Sequence, residues 1–179
     1  TDLTFITNQE GNRLKDRFSK LLKRTQFFDT LVGYFFISGF HALHSDFENI
    51  EKIRILIGLN TDRTTVGLLN LAKTQQELDL KSHAEMRESQ AKTILDELQK
   101  TEESQAKELG ALKFVEWIKS KKLEVRAYPS GQIHAKLYIM TFHEGDRDKG
   151  RVITGSSNFT QAGLQDNLEF NVELKNRSD

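Results

Sequence analysis

Two nearly continuous apolar runs constrain the fold of this chain more than any other feature. Residues 27–36 and 53–59 are rich in Phe, Leu, Ile and Val, and we interpret each as a buried strand. Between them Phe40, Leu43 and Phe47 recur at helical spacing, with Ser38 as a candidate N-cap. A strand, a helix and a strand in this order predict a parallel pair with a right-handed crossover.

Further elements are predicted on both sides of this unit. A helical repeat precedes the first strand and consists of Leu14, Phe18, Leu21 and Leu22. Four later segments have strand-like patterns, at 123–128, 134–141, 152–156 and 168–174. Turn-forming residues at 144–150 join the second and third of these into a predicted hairpin. The chain is therefore predicted to be α/β, with a mixed β-sheet flanked by helices.

The middle of the chain has a different composition. Residues 65–109 are crowded with Gln, Glu, Lys and Ala, contain no Pro, and carry only a thin apolar stripe. We predict a polar helical insertion, which is either an arm that contacts a partner or a solvated helix. The length of 179 residues suits one domain, 1–179, and a start at Thr1 suggests a fragment of a longer protein.

Charge and cysteine content exclude several classes of protein. The chain has 26 Lys+Arg against 26 Asp+Glu and no Cys, which excludes a disulfide scaffold and a thiolate metal site. We expect a cytoplasmic protein, with neither a metal nor another cofactor and no membrane association. One local basic stripe could bind a nucleic-acid backbone or simply face water, and it comprises Arg13, Arg17, Lys20 and Arg24.

Polar residues interrupt the last three predicted strands. His134 and Lys136 share a face by strand period, as do Ser156 and Asn158, and Glu169 occupies a similar position in the last strand. Polar groups set into apolar strands are costly unless they are paired, so their succession suggests a site. The alternative is that each lies separately at a strand end facing water.

The pattern resembles a known family. His134-x-Lys136 followed by 155–158 (Gly-Ser-Ser-Asn) is similar to the HxK…GSxN signature of the phospholipase D superfamily, and Glu169 stands where that family places an acidic residue. The relatives it resembles are single-motif bacterial nucleases and the N-terminal modules of helicase or restriction-type proteins. One departure is Thr141, at a position where the family usually has Asp.

The resemblance implies roles for these residues. His134 would attack phosphorus and form a phosphohistidine, while Lys136 and Asn158 bind the phosphate oxygens. Ser156 would hydrogen-bond within the site or to the phosphate, and Glu169 would fix the tautomer of a His.

The chemistry needs two His, yet the chain has one copy of the motif, so the resemblance implies a homodimer that shares one site. Four other histidines lack the motif, and among them we expect His41 and His44 to lie on an ordinary helix surface. The predicted activity is that of a metal-independent phosphodiesterase, a nuclease acting on DNA. Two alternatives remain: a weakly catalytic nucleic-acid-binding and dimerisation module of a helicase or restriction system, or a phospholipase-type phosphotransferase.

Overall fold

A computed structural model describes residues 3–78, 104–128 and 133–177. Within them the strands are β1 (Leu3–Ile6), β2 (Thr25–Phe35), β3 (Lys52–Thr61), β4 (Leu123–Ala127), β5 (Lys136–Phe142), β6 (Asp148–Gly155) and β7 (Asn171–Arg177). They form one sheet in the order β1-β7-β6-β5-β2-β3-β4. Neighbours are parallel for β2/β3 and β3/β4 and antiparallel elsewhere, so the predicted mixed sheet is confirmed.

Helices complete the α/β architecture. They are α1 (Leu14–Leu22), α2 (Ile37–Leu43), α3 (Arg63–Leu78) and α4 (Ser104–Lys119), together with a π-helical turn at Ala162–Asp166. The four leucine and phenylalanine positions that predicted α1 are all buried. No helix in the described part of the chain is long and apolar enough to cross a membrane.

The predicted β-α-β unit is present, with one correction at its helix. β2 and β3 pair in parallel, with Phe28 opposite Ile53. The helix begins at Ile37 with extended Phe36 in the N-cap position, so the assignment of Ser38 as N-cap was wrong. The Ser38 hydroxyl instead accepts the backbone N–H of Gln161 at 3.3 Å, which ties the start of α2 to a later segment.

The C-terminal strands begin and end differently from the sequence prediction. β5 starts at Lys136 rather than at 134, β6 ends at Gly155, and β7 starts at Asn171 rather than at 168. His134, Ser156 and Glu169 therefore lie on the connections just outside the strand ends. Residues on connections do not follow the alternation of buried and exposed side chains along a strand. His134 is therefore exposed, although Lys136, two residues later, is buried.

The predicted insertion is helical at both ends. α3 buries Leu68 and Ala72, so this part of the insertion contributes to the core instead of lying loosely over it. α4 extends beyond the insertion, where it buries Phe114 and Trp117 and leaves Leu112 52% exposed on another face. Residues 79–103 of the insertion lie outside the described residues.

An aromatic cluster at the centre of the core supports the region of the polar motif. Phe28 of β2, Tyr138 of β5 and Phe47 pack around Phe159, with ring centroids 6.3 Å apart for Phe28–Phe159 and Tyr138–Phe159. Phe159 is fully buried and directly follows Asn158. The core thus holds one end of the motif in place.

The opposite face of the sheet forms a groove of its own. Alternate residues of β5, β2, β3 and β4 line it, and its volume is about 550 Å³. Ion pairs between Arg54 and Asp29 and between Lys52 and Glu124 cross this face. It carries none of the polar motif residues.

His41 is not on an ordinary helix surface, which corrects the sequence expectation. Its two ring nitrogens are buried and have no hydrogen-bond partner among the described residues. The ring packs against Gly110 of α4. Burial, followed by the charges of His44 and Lys107, lowers the pKa of His41 to about 4.

We predict that His41 makes the fold sensitive to acid. Because its pKa of about 4 lies below the ordinary 6.5, the unfolded chain takes up the proton first, and stability is lost as pH falls from 6.5 through 4. In His41→Leu, the difference in unfolding free energy between pH 7 and pH 4.5 should shrink by about 2 kcal/mol. Urea denaturation at both pH values measures this, and an unchanged difference would contradict the assignment.

Candidate active site

His134 lies on a short connection that is anchored to the sheet. The backbone N–H of Gly33 in β2 donates to the carbonyl of Ala135 at 2.9 Å. The His134 ring meets Tyr34 edge-on, with centroids 6.2 Å apart. The imidazole is therefore presented to solvent from a fixed backbone.

Lys136 is the closest polar partner of this imidazole. It is the first residue of β5, is 7% exposed, and its Nζ lies 2.6 Å from His134 Nε2. An ammonium group only donates, so Nε2 is the accepting nitrogen and the ring proton sits on Nδ1. In this arrangement the Nε2 lone pair accepts from Lys136, so it becomes available for nucleophilic attack once the ammonium group turns to a phosphate oxygen.

Burial affects the pKa of the Lys136 ammonium group. Desolvation lowers the pKa of its ammonium group, and the nearby Glu169 carboxylate acts in the opposite direction. A partly desolvated cation interacts strongly with an anion that replaces its lost water.

Asn158 lies on the other side of the same small space. Its Oδ1 accepts the backbone N–H of Tyr34 at 3.0 Å, which leaves the Nδ2 amide as a donor. A Cβ at Gly33 would lie 2.9 Å from His134 Cδ2, so glycine is needed for the imidazole to approach, and 3.5 Å from Asn158 Oδ1, an ordinary contact distance. The His134 ring and the Asn158 side chain therefore both lie beside Gly33, and the Lys136 ammonium lies against the imidazole.

Ser156 and Glu169 form a hydrogen-bonded pair beside these groups. The Ser156 hydroxyl donates to the Glu169 carboxylate and accepts the backbone N–H of Phe170 at 3.0 Å. The structure thus brings Glu169 to Ser156 and near Lys136, and not against His134 of the same chain. The predicted role of Glu169 in fixing the tautomer of a His would therefore involve His134 of a second copy of the chain, and it stays a prediction.

A buried network below the site was missed by the sequence reasoning. The Tyr138 hydroxyl donates to the carbonyl of Ser157 at 2.8 Å, and Asn171 Nδ2 donates to Ser157 Oγ at 2.8 Å. Burial raises the pKa of Tyr138, so its hydroxyl keeps its proton and donates. These residues position the turn that carries Ser156 and Asn158. The available signal was Asn171, a polar residue two positions beyond Glu169.

The basic stripe of α1 does not converge on the site. Glu173, fully buried, accepts from Arg17 Nε at 2.5 Å and Nη2 at 2.7 Å, and from Arg151 Nε at 3.1 Å. Arg24 pairs with Asp146 at 2.8 Å in the β5–β6 turn. That turn lies at the far end of β5 from Lys136, roughly 20 Å away at about 3.3 Å per residue.

Arg13, Lys20 and Arg24 are exposed, and Arg17 is partly buried. Arg13 occupies the N-cap position of α1. The chain just before this end of the helix contacts the segment that carries Glu169, since Asn8 Nδ2 donates to the Asn167 carbonyl at 3.0 Å. Of the four basic residues, Arg13 therefore lies at the end of α1 nearest the site.

Thr141, a departure from the resemblance, lies away from the site. Thr141 pairs with Phe27 and Gly150 near the far end of β5, five residues beyond Lys136. The described residues also contain no group of three or more His, Cys, Asp or Glu side chains placed to hold a metal ion.

Comparisons with known proteins bear on the family and on the fold. Residues 34–179 match the family model described as "Cardiolipin synthase, PLD-like domain". The fold is similar to that of a mutant yeast tyrosyl-DNA phosphodiesterase, with TM-score 0.50 and 13% identity over 96% of this chain. The match covers 31% of the yeast chain, so this chain spans about a third of that protein. A search of curated protein sequences found no significant match.

Two bacterial structures are also similar. Nuc from Salmonella typhimurium, described as a phospholipase D family member, has TM-score 0.48 and 16% identity, covering 98% of this chain and 83% of that one. NucT from Helicobacter pylori has TM-score 0.44 and 10% identity, covering 96% and 83%.

Proposed function

The chain belongs to the phospholipase D superfamily as a PLD-like domain, and from this premise we propose that it is a phosphodiesterase that cleaves DNA without a metal ion. One observation carries the proposal. Lys136 Nζ lies 2.6 Å from His134 Nε2, so a cation that can hold a phosphate oxygen sits directly beside the nucleophilic nitrogen.

The proposed reaction has two steps. The Nε2 lone pair of His134 forms a bond to phosphorus while the bond from phosphorus to the leaving oxygen breaks, and a second His protonates that oxygen. Water, deprotonated by the same second His, then displaces the imidazole and regenerates His134. Lys136 and the Asn158 amide stabilise the charge that accumulates on the other phosphate oxygens in both steps.

The second His would come from another copy of the chain. The sequence contains one His-x-Lys motif, so a shared site needs a two-fold homodimer. An exposed apolar patch flanks Glu169 and supports this arrangement: Leu168 is 77% exposed, and Phe170, 56% exposed, stacks on Phe5 at 5.4 Å. Exposed apolar groups of this size are typical of interaction surfaces.

DNA is the substrate that this chain's own groups favour. Arg13 lies at the end of α1 nearest the site, and in this proposal it contacts a phosphate flanking the cleaved one. The yeast structure with the similar fold is named for a DNA linkage, tyrosyl-DNA. The second candidate is a phospholipid phosphotransferase, because the matching family model is described by cardiolipin synthase.

Three substrates in the presence of EDTA test the proposal. We expect cleavage of plasmid DNA and of bis-p-nitrophenyl phosphate to persist with EDTA, since Lys136 supplies the positive charge within the site. Phosphatidylcholine should remain intact. Loss of activity in EDTA with recovery in magnesium would contradict the mechanism. Cleavage of phosphatidylcholine alone would favour the phosphotransferase, and binding of DNA with no cleavage would favour a binding module.

A further inference from the structure

A second groove is lined in part by Leu59, a residue close to His134. It has a volume of about 350 Å³ and lies between the ends of β3 and β4 and the first half of α3. We propose that this groove binds a nucleobase adjacent to the cleaved phosphate. The proposal rests on the proposed function and specifies how that same site would recognise an unpaired strand.

Leu59 connects the groove to the site. Its side chain lines the groove, and its Cδ1 lies 3.4 Å from the position of a Cβ at Gly33, where the corresponding distance to His134 Cδ2 is 2.9 Å. Leu59 therefore lies close to the imidazole and also lines the groove, which makes the groove a neighbour of the site.

The groove exists because two paired strands differ in length. Pairing between β3 and β4 stops at Ile57 and Ala127, whereas β3 continues to Thr61. The chain leaves this edge at Tyr128, whose N–H donates to the Ile57 carbonyl at 2.8 Å. The step at the sheet edge leaves a recess floored by backbone.

The lining suits a planar base that has polar edges. Tyr128, 42% exposed, offers an aromatic ring, and Val66, 44% exposed, offers an apolar surface across the recess. Asn60 and Asn70 supply amides that can pair with base edges, and Lys73 supplies a cation at the α3 side. Apolar walls with a few polar groups are typical of small-molecule sites, and stacking of bases on aromatic rings is the common mode of single-strand binding.

Matched oligomers test this assignment by binding rather than by cleavage. A fluorescent ten-unit oligothymidylate is compared with a ten-unit abasic tetrahydrofuran phosphate chain of equal charge, by anisotropy in a His134→Asn background that prevents turnover. We expect the oligothymidylate to bind about tenfold more tightly than the abasic chain. Tyr128→Ala should remove this preference, and Tyr128→Phe should retain it.

Two further variants separate base recognition from charge. Lys73→Gln should weaken both oligomers equally, because it removes a phosphate contact. Arg126→Ala is the matched control, since its side chain lines the groove on the opposite face and the base preference should be unchanged. Equal binding of both oligomers by the parent, or a preference that survives both Tyr128→Ala and Asn70→Ala, would overturn the proposal.

The two proposals fail in distinguishable ways. Absence of cleavage of bis-p-nitrophenyl phosphate, which has no base, would refute the proposed function but leave the base preference measurable. Cleavage of that compound, together with binding that ignores the base, would refute the groove assignment alone.

Discussion

Replacement of His134 by Asn should lower kcat for phosphodiester cleavage by about 10³-fold or more, because no bond from nitrogen to phosphorus can then form. The substitution should lower the rate of the chemical step without changing the stability of the fold. His134 is exposed on a connection that is held by backbone hydrogen bonds, so the melting temperature should change little. Steady-state rates on bis-p-nitrophenyl phosphate and a thermal unfolding curve measure the two quantities.

Mixing the variant with the parent chain then tests whether the site is shared. Random pairing of equal amounts of co-refolded chains leaves about one quarter of the dimers with two parent His134 residues. Activity per total protein should fall to about that quarter. A mixture that holds at one half, or a fully active monomer by light scattering, would contradict the composite site. Activity of His134→Asn near the parent level would contradict the nucleophile itself.

The second large effect concerns stability and not chemistry. Glu173 is fully buried between two guanidinium groups, those of Arg17 and Arg151. In Glu173→Gln the carboxylate charge is lost, Arg17 loses its partner and Arg151 keeps only its ion pair with Asp148; breaking a buried ion pair costs about 3–5 kcal/mol. Urea denaturation at pH 7 should show a loss of unfolding free energy of about 3 kcal/mol or more.

A surface ion pair, made by an arginine just after the end of α1, provides the matched control. Asp146→Asn also removes a carboxylate from an arginine, Arg24, but that guanidinium is 46% exposed. The expected loss is about 0.5 kcal/mol, since exposed ion pairs contribute little. Equal losses in the two variants would show that Glu173 is not the buried anchor of α1. DNA affinity should be insensitive to Asp146→Asn, because this pair lies at the end of the sheet away from the site.

Much of the site was predictable because its residues are close in sequence. His134 and Lys136 are separated by one residue, and Ser156 and Asn158 likewise, so local spacing was enough to single them out. Their immediate surroundings were not predictable. The partner of Glu169 is Ser156, and this pairing depends on where β7 begins, a boundary set by backbone bonds between strands.

For the basic stripe on α1, local spacing did not reveal the environment of each residue. Arg13, Arg17, Lys20 and Arg24 share one helix face by spacing alone, and the sequence contains no sign that they differ. Folding places Arg17 over a buried carboxylate from β7 and Arg24 beside a turn, and leaves Arg13 near the site. Residues far apart in sequence decide these environments.

By itself, the sequence determined the α/β class, the parallel β2/β3 pair and the residues of the polar motif, because these depend on periodicity and on spacing within short segments. Only the tertiary structure decided which polar groups meet. The burial of His41 against α4, the ion pair of Arg17 with Glu173 and the pairing of β3 with β4 all join segments that are at least 50 residues apart. Such contacts arise from packing between elements, and packing leaves no local signal in the chain.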